Sequence, residues 1–148
     1  MNKENLFYKF WFEGVSEFLE NKDHEKLLIK CSEKCSESYS LGLYKKAFAG
    51  DTPVKEALDF LKKSFDDFDY QISPDKIEII YGACGCDLFV DGYIKSEKLC
   101  RCSELSLEKN WGEIFGPENV RVRNIYSILK GSDKCLFEVR VKQLGHEV

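Results

Sequence analysis

The sequence predicts an α+β domain in which N-terminal helices pack on an antiparallel sheet that carries an inserted helix. Through the first half of the chain, apolar residues recur every three or four positions, which is typical of amphipathic helices. From residue 73 onward the period changes to two, as in strands with one buried face. No repeat or linker interrupts the chain, so we expect one domain over residues 1–148, with a helical half (1–72) and a strand–helix–hairpin half (73–148).

Three amphipathic helices are predicted in the helical half. The first covers roughly residues 3–20. The second begins at the N-cap Asp23 and ends near Gly50. Thr52 caps the third, which has Pro53 at its first helical position. The residues expected to face the core are Phe7, Phe10, Trp11, Val15, Phe18 and Leu19 in the first helix, Leu28, Cys31, Cys35 and Tyr39 in the second, and Val54, Leu58, Leu61, Phe65 and Phe68 in the third.

Strands dominate the second half of the chain. Apolar residues alternate with others over 77–81, which predicts a strand. A fourth helix follows, capped by Ser103 or Ser106 and stopped at Gly116. Two further strands joined by a turn close the chain, and Cys135 is expected on the apolar face of the last one.

The composition limits the classes of partner and compartment. Acidic residues outnumber basic ones by 26 to 22, and a net charge of −4 argues against a nucleic-acid partner, which requires a clustered cationic surface. We expect no membrane-spanning segment and no signal peptide, and hence a cytoplasmic protein. In that reducing compartment, seven cysteines are more typical of metal binding or redox chemistry than of a disulfide framework.

Two Cys-X-Cys pairs, Cys84/Cys86 and Cys100/Cys102, lie between the first predicted strand and the fourth helix. In an extended chain residues i and i+2 project from the same side, so each pair can chelate an ion. The second pair is expected just before the fourth helix, whose dipole, together with Arg101, would lower the thiol pKa and favour the thiolate. Four thiolates are the ligand set of a structural zinc site or of an iron–sulfur cluster.

Other cysteines could join or replace one of these pairs. Cys31 and Cys35 are spaced i and i+4 on one face of the second helix. The alternative for every cysteine is a small, buried, apolar side chain, and for Cys135, within an apolar strand face, that alternative is the preferred interpretation. The histidines His24 and His146 occupy a charged helix start and the C-terminal end, which is not the setting of a positioned base or ligand.

An aromatic-lined pocket is the expected binding site for a small apolar ligand. Its candidate walls belong to the first, third and fourth helices, and each is otherwise an ordinary core residue. They are Phe7, Phe10, Trp11, Phe65, Phe68 and Trp111. The sequence is also compatible with a homodimer.

The run LCRCSELSLEKNWGEIFGPENVRVRNIYSILKGSDKCLFEV, residues 99–139, resembles the C-terminal half of small bacterial and archaeal domains of the four-vinyl-reductase type and of aminothiazoline-carboxylate-hydrolase-like proteins. The shared features are Cys-X-Cys-Ser, a Trp-X-X-X-Phe-Gly helix, a strand, Ser-Ile-Leu-X-Gly and a final Cys-X-Phe strand. The chain also resembles a Cys-rich bacterial group with an additional helical pair, which corresponds to Cys31 and Cys35. That group has Cys-Gly-X-X-Cys, whereas Ser32 follows the first cysteine here.

The resemblance implies a fold like the ligand-binding domains of transport-complex subunits, in which helices on one side of an antiparallel sheet enclose an apolar pocket. It also implies cysteine-bound metal. Our leading hypothesis is therefore a small-molecule-binding or sensing domain with a cysteine-thiolate metal site, most simply zinc. The alternatives are a thiol redox protein, in which Cys100 or Cys102 is a low-pKa thiolate, and a cysteine-dependent, hydrolase-like enzyme.

Overall fold

The structure, a computed structural model, describes residues 3–21, 24–84 and 86–144; for residues 3–7, 9, 87 and 143 it describes the backbone alone. The predicted N-cap Asp23 and His146 lie outside these residues. The helical half comprises α1 (Lys3–Leu19), α2 (His24–Cys35), a π-helical turn (Ser36–Ser40), α3 (Leu41–Ala47) and α4 (Val54–Ser64). The rest comprises β1 (Phe68–Ile72), β2 (Ile77–Tyr81), α5 (Asp87–Val90), α6 (Leu99–Phe115), β3 (Val120–Tyr126) and β4 (Cys135–Val141), with 3-10 turns at Pro117–Asn119, Ile128–Lys130 and Lys142–Leu144.

The four strands form one antiparallel sheet in the order β1-β2-β4-β3. The α+β class predicted from the sequence is thereby confirmed. β4 is an inner strand, hydrogen-bonded to β2 on one side and β3 on the other. Its first residue, Cys135, stands opposite Tyr81, the last residue of β2.

The main core lies between the inner face of the sheet and the helices α3, α4 and α6. Trp111 of α6 is fully buried at its centre, where its ring contacts those of Tyr44 and Phe48. On β4 the predicted apolar face, Cys135, Phe137, Val139 and Val141, is buried. Alternation of apolar residues along the strand accounts for this arrangement, because successive side chains point to opposite faces.

The sequence prediction of a third helix extending to Phe68 is wrong. α4 ends at Ser64, and Phe68 is the first residue of β1, paired with Tyr81. Between them Asp67 has a positive φ of 58°, and its carbonyl accepts a hydrogen bond from the Gly82 amide at 2.8 Å. The phenylalanines happen to continue the helical spacing, but pairing with β2 determines the local structure.

The inward face of α2 is also displaced by one residue from the prediction. Leu28, Ser32 and Ser36 are buried, whereas Cys31, Cys35 and Tyr39 are exposed. The buried Ser32 donates to the Ile29 carbonyl of its own helix at 2.8 Å, and a contact with α6 accounts for Ser36. The Ser36 hydroxyl donates to Oδ1 of the buried Asn110 at 2.5 Å, and the Asn110 amide donates to the Ser40 hydroxyl at 2.9 Å. α2 and the π-helical turn therefore meet α6 through satisfied polar groups and small side chains.

A second, smaller core joins α1 and α2 to the segment before α6. Leu19, Leu28, Ile94 and Leu99 are buried in it, and the half-buried Cys86 and Cys102 pack against it. In α1 the side chains that face this core include Phe12 and Val15 as well as Leu19.

The predicted inward stripe of α1 is therefore wrong for three aromatic residues. Phe10, Trp11 and Phe18 are exposed, by 63%, 58% and 41%. Phe12, which was not part of that stripe, packs on the smaller core instead. The stripe contained aromatic residues on both sides of the helix, and only tertiary packing decides which side is covered. None of the described helices combines the length and the apolar character needed to cross a bilayer.

Candidate thiol cluster

The seven cysteines lie on four separate segments of the chain, and electrostatic interactions link thiols of different segments. Three of them lie around the thiol of a fourth. The thiol of Cys102, on α6, lies near enough to those of Cys35, Cys31 and Cys86 for their charges to interact. We call these four residues, Cys31, Cys35, Cys86 and Cys102, the outer set, because the two helical members are exposed.

The other three cysteines, Cys84, Cys100 and Cys135, form an inner set. The thiol of Cys84 interacts electrostatically with those of Cys86, Cys135 and Cys100, and the thiol of Cys135 interacts with that of Cys100. Cys100 and Cys135 are buried. Cys86 is the member of the outer set that neighbours both Cys102 and Cys84, so the two sets are contiguous.

Helix packing positions the outer set. Cys31 and Cys35 are one turn apart on α2, which packs along α6. Arg101 links the two helices next to Cys102. Its guanidinium donates to Glu25 of α2 at 2.7 and 3.0 Å and also to Glu104 of α6. These contacts fix α2 against α6 at the level of the thiols.

A buried turn after β3 positions the inner set. The Cys100 thiol donates to the hydroxyl of the fully buried Ser127 at 3.1 Å. The next residue, Ile128, donates its backbone N–H to the Cys135 sulfur at 3.3 Å. A backbone N–H of Cys86 donates likewise to the Cys84 sulfur. Amide donors directed at sulfur are typical of sites that stabilise thiolates.

Burial and crowding raise the thiol pKa values in this cluster. For Cys102, desolvation is the largest cause and the neighbouring thiols of Cys35, Cys31 and Cys86 follow, so that the pKa rises from 9.0 to about 12. Burial also raises the pKa of Cys84 and of Cys135, in spite of the amide hydrogen bond that each sulfur accepts. Without a bound cation, these three thiols are protonated at neutral pH.

The expectation of a low-pKa thiolate at Cys102 is therefore wrong. Cys100 and Cys102 lie inside the first turn of α6 rather than before the helix. Arg101, expected to stabilise a thiolate, has its charge engaged by the carboxylates of Glu25 and Glu104. Burial among other thiols outweighs the helix dipole, whose effect at an exposed position is modest.

A cavity of about 310 Å³ opens beside the start of α6 and reaches Cys100. Its lining is charged, with side chains of both signs that include Glu25, Lys98, Arg101 and Lys130. This cavity differs in place and in polarity from the aromatic pocket expected from the sequence.

The residues proposed as walls of an apolar pocket occupy separate places. Phe68 and Trp111 belong to the main core, and Phe65 packs against it. Trp11 is exposed on α1, where its ring contacts that of Phe12. The side chain of Phe7 lies outside the described part of the chain. The ring contacts of Phe65 and Trp111 are those of a packed interior, with Phe68 at 5.8 Å and Phe115 at 5.9 Å between ring centroids.

Metal ligation by the cluster requires the thiols to converge further. Within residues 3–21, 24–84 and 86–144, no three His, Cys, Asp or Glu side chains are already arranged to hold a metal ion. The donor chemistry nevertheless fits a thiophilic ion, since the candidate ligands are thiols and backbone amides donate to two of the sulfurs. A cysteine has a single side-chain torsion about which its sulfur can swing, so rotamer changes can supply part of the convergence.

The sequence prediction that Cys135 belongs to the core, because it continues the apolar alternation of β4, is confirmed by its burial. Its contact with Ile128, and that of Cys100 with Ser127, does not follow from sequence spacing. The proximity of Cys135 to Cys84 follows from the pairing of β4 with β2, which aligns Cys135 with Tyr81.

No model of a known protein family matches this chain, and a comparison with curated proteins finds none that is significantly similar.

Proposed function

We propose that this protein is a cysteine-thiolate metal-binding domain with a sensing or small-molecule-binding role, and that Cys31, Cys35, Cys86 and Cys102 hold a zinc ion. The observation that carries the proposal is the gathering of three thiols from two other segments around the half-buried thiol of Cys102. Four thiolates complete the tetrahedral coordination of structural zinc. The thiols would have to remain reduced, as they do in the cytoplasm.

The raised pKa of Cys102 supports a role as a metal ligand over a role as a nucleophile. A nucleophilic cysteine needs an accessible thiolate at neutral pH, and burial among thiols works against that. A bound divalent cation instead favours the ionised form, because it binds thiolates and the thiol protons are released to solvent. The exposure of Cys31 and Cys35 leaves an entry path for the ion from the side of α2.

An iron–sulfur cluster would use the same four thiols and is the alternative cofactor. A thiol enzyme is the rival function, and one observation favours it: the charged cavity beside α6 reaches Cys100. In that case a small polar substrate would enter the cavity, and Cys100 would be the reactive group.

The test is anaerobic purification of the full chain, followed on one sample by metal analysis, absorbance spectroscopy and counting of thiols that react with iodoacetamide. Zinc at one or more ions per chain, with the outer set protected from alkylation until a chelator is added, is the expected result. Visible charge-transfer bands would assign iron instead of zinc. A metal-free protein with one fast-reacting thiol at Cys100 would contradict the proposal and favour the enzyme.

A pair of variants on α2 supplies the matched control. Cys35→Ser removes one proposed ligand, and we expect weaker zinc binding in competition with a chromophoric chelator. Lys34→Ala changes the adjacent exposed residue, whose ammonium pairs with Glu37 at 3.7 Å. This control should bind zinc as the wild type does. Equal zinc affinity of the two variants would refute the assignment of Cys35.

A further inference from the structure

We propose that the charged cavity beside α6 binds a small zwitterion, a molecule that carries one carboxylate and one ammonium group as a free amino acid does. Two lysines of the cavity hold the carboxylate, and Glu25 holds the ammonium. This inference gives the small-molecule-binding role of the proposed function a site and a ligand class. It rests on that role, but it does not require a bound metal ion.

Hydrogen bonds hold the wall of the cavity in place. Arg101 of α6 donates to Glu25 of α2 and to Glu104 of α6. The second carboxylate oxygen of Glu104 accepts the backbone N–H of Asn124 of β3 at 2.7 Å. All four residues line the cavity, so α2, α6 and β3 are joined around it. A site with a fixed wall loses little conformational entropy when a ligand binds.

Two lysines of the cavity lie near the contact between α6 and the turn after β3. This contact is the hydrogen bond from the Cys100 thiol to the Ser127 hydroxyl, at 3.1 Å. Lys98 is two residues before Cys100 in the chain, and Lys130 is three residues after Ser127. Within the described part of the chain, the Lys98 ammonium has no ion pair or hydrogen bond, and the Lys130 ammonium donates only to the neutral Oδ1 of Asn124, at 3.3 Å. Both ammonium groups can therefore accept a carboxylate from a ligand.

Glu25 offers a carboxylate oxygen on the side of α2. Both hydrogen bonds that it accepts from Arg101, at 2.7 and 3.0 Å, end on Oε1. Its Oε2 accepts no hydrogen bond from the other described residues, and the side chain is 43% exposed. The ammonium of a ligand can donate to this oxygen without displacing Arg101.

The balance of charge and the size of the cavity select the class of ligand. The charged lining consists of three cationic side chains, Lys98, Arg101 and Lys130, and three carboxylates, Glu25, Glu97 and Glu104, besides His24. A simple anion would be attracted to the lysines but repelled by the carboxylates, and a simple cation the reverse, whereas a zwitterion can be attracted at both ends. The volume of about 310 Å³ is at the lower end of the range for small-molecule sites, which suits a ligand of the size of an amino acid.

Isothermal titration calorimetry of the full chain against each common L-amino acid, with a chelator and a reductant present, tests the proposal. Analogues that keep only one of the two charges are the controls, such as propionate and ethylamine for L-alanine. We expect saturable binding of at least one amino acid, and binding of its two analogues that is weaker by about tenfold or more. No binding at millimolar concentrations would overturn the inference, and an anionic analogue that binds equally well would overturn the zwitterion. Zinc binding is measured separately, so its failure and the failure of this inference are distinguishable.

A pair of lysine variants tests the location of the site. Lys98→Gln removes one ammonium from the cavity and should weaken binding of the amino acid by about tenfold. Lys95→Gln is the matched control, because Lys95 is exposed in the same segment before α6 and does not line the cavity. This control should bind as the wild type does. Equal affinity of the two variants would show that the ligand is not held in this cavity, and the wild-type titrations decide the ligand class even if a variant fails to fold.

Discussion

Alkaline pH should destabilise the metal-free protein through Cys102. Its thiol has a pKa of 9.0 when unperturbed and about 12 in the folded protein. The unfolded chain therefore loses this proton first as the pH rises, and the folded state becomes less stable from pH 9.0 up to about 12. Three pKa units correspond to about 4 kcal/mol, of which about 2 kcal/mol is lost at about pH 10.5.

Urea unfolding in the presence of a chelator and a reductant measures this loss. We expect the free energy of unfolding of the wild type to fall between about pH 8 and about pH 10.5 by about 2 kcal/mol more than that of Cys102→Ala. Lysines, tyrosines and the other cysteines titrate in both proteins, so their contributions cancel in the difference. Equal losses in the two proteins would refute the inference that burial and neighbouring thiols hold Cys102 protonated.

Four further substitutions test other contacts of the fold. Asn110→Ala leaves the buried Ser36 hydroxyl without its partner and should cost about 1–3 kcal/mol in urea unfolding, whereas a neutral effect would exclude a structural role for this contact. Gly116→Ala should cost about 1–3 kcal/mol, because Gly116 has a φ of 94° and an added Cβ would lie 2.8 Å from Asn119 Nδ2. Gly42→Ala, with open space around it on α3, should instead raise the thermal midpoint, in line with a gain of about 0.5–1 kcal/mol. Glu25→Gln should reduce the loss of stability below pH 4.5, since the hydrogen bond from Arg101 lowers the pKa of Glu25 and that stabilisation disappears in acid; an unchanged acid profile in chemical denaturation would contradict this.

Periodicity predicted most of the helices and strands because each presents a continuous apolar face to the core. It failed at β1, where Phe65 and Phe68 have the spacing of a helix but the chain turns at Asp67 and pairs with β2. Strand pairing depends on residues that are distant in sequence, so the spacing of apolar residues within one segment does not predict it. It failed again on α2, where Ser32 and Ser36 are buried in place of Cys31 and Cys35; Ser36 donates to Asn110 of α6, and Ser32 donates to the Ile29 carbonyl of its own helix.

The site was predictable in its residue type but not in its chemistry. The spacing of the two Cys-X-Cys pairs and of the helical pair is visible in the sequence, yet the pKa of Cys102 is raised first by burial and then by thiols from α2 and from the segment after β2. Those neighbours are remote in sequence. The prediction of an aromatic pocket failed for a different reason. Aromatic residues recur at the same helical spacing whether they line a cavity or fill a core, and Trp111 fills the core.

Cys135 begins a strand that is hydrogen-bonded on both sides, by β2 and by β3. An edge strand can separate from the sheet by breaking the hydrogen bonds to one neighbouring strand. An inner strand cannot move without breaking the hydrogen bonds to two. A change that displaces the start of β4 at Cys135 would therefore disturb its pairing with both neighbouring strands, and with it the middle of the sheet.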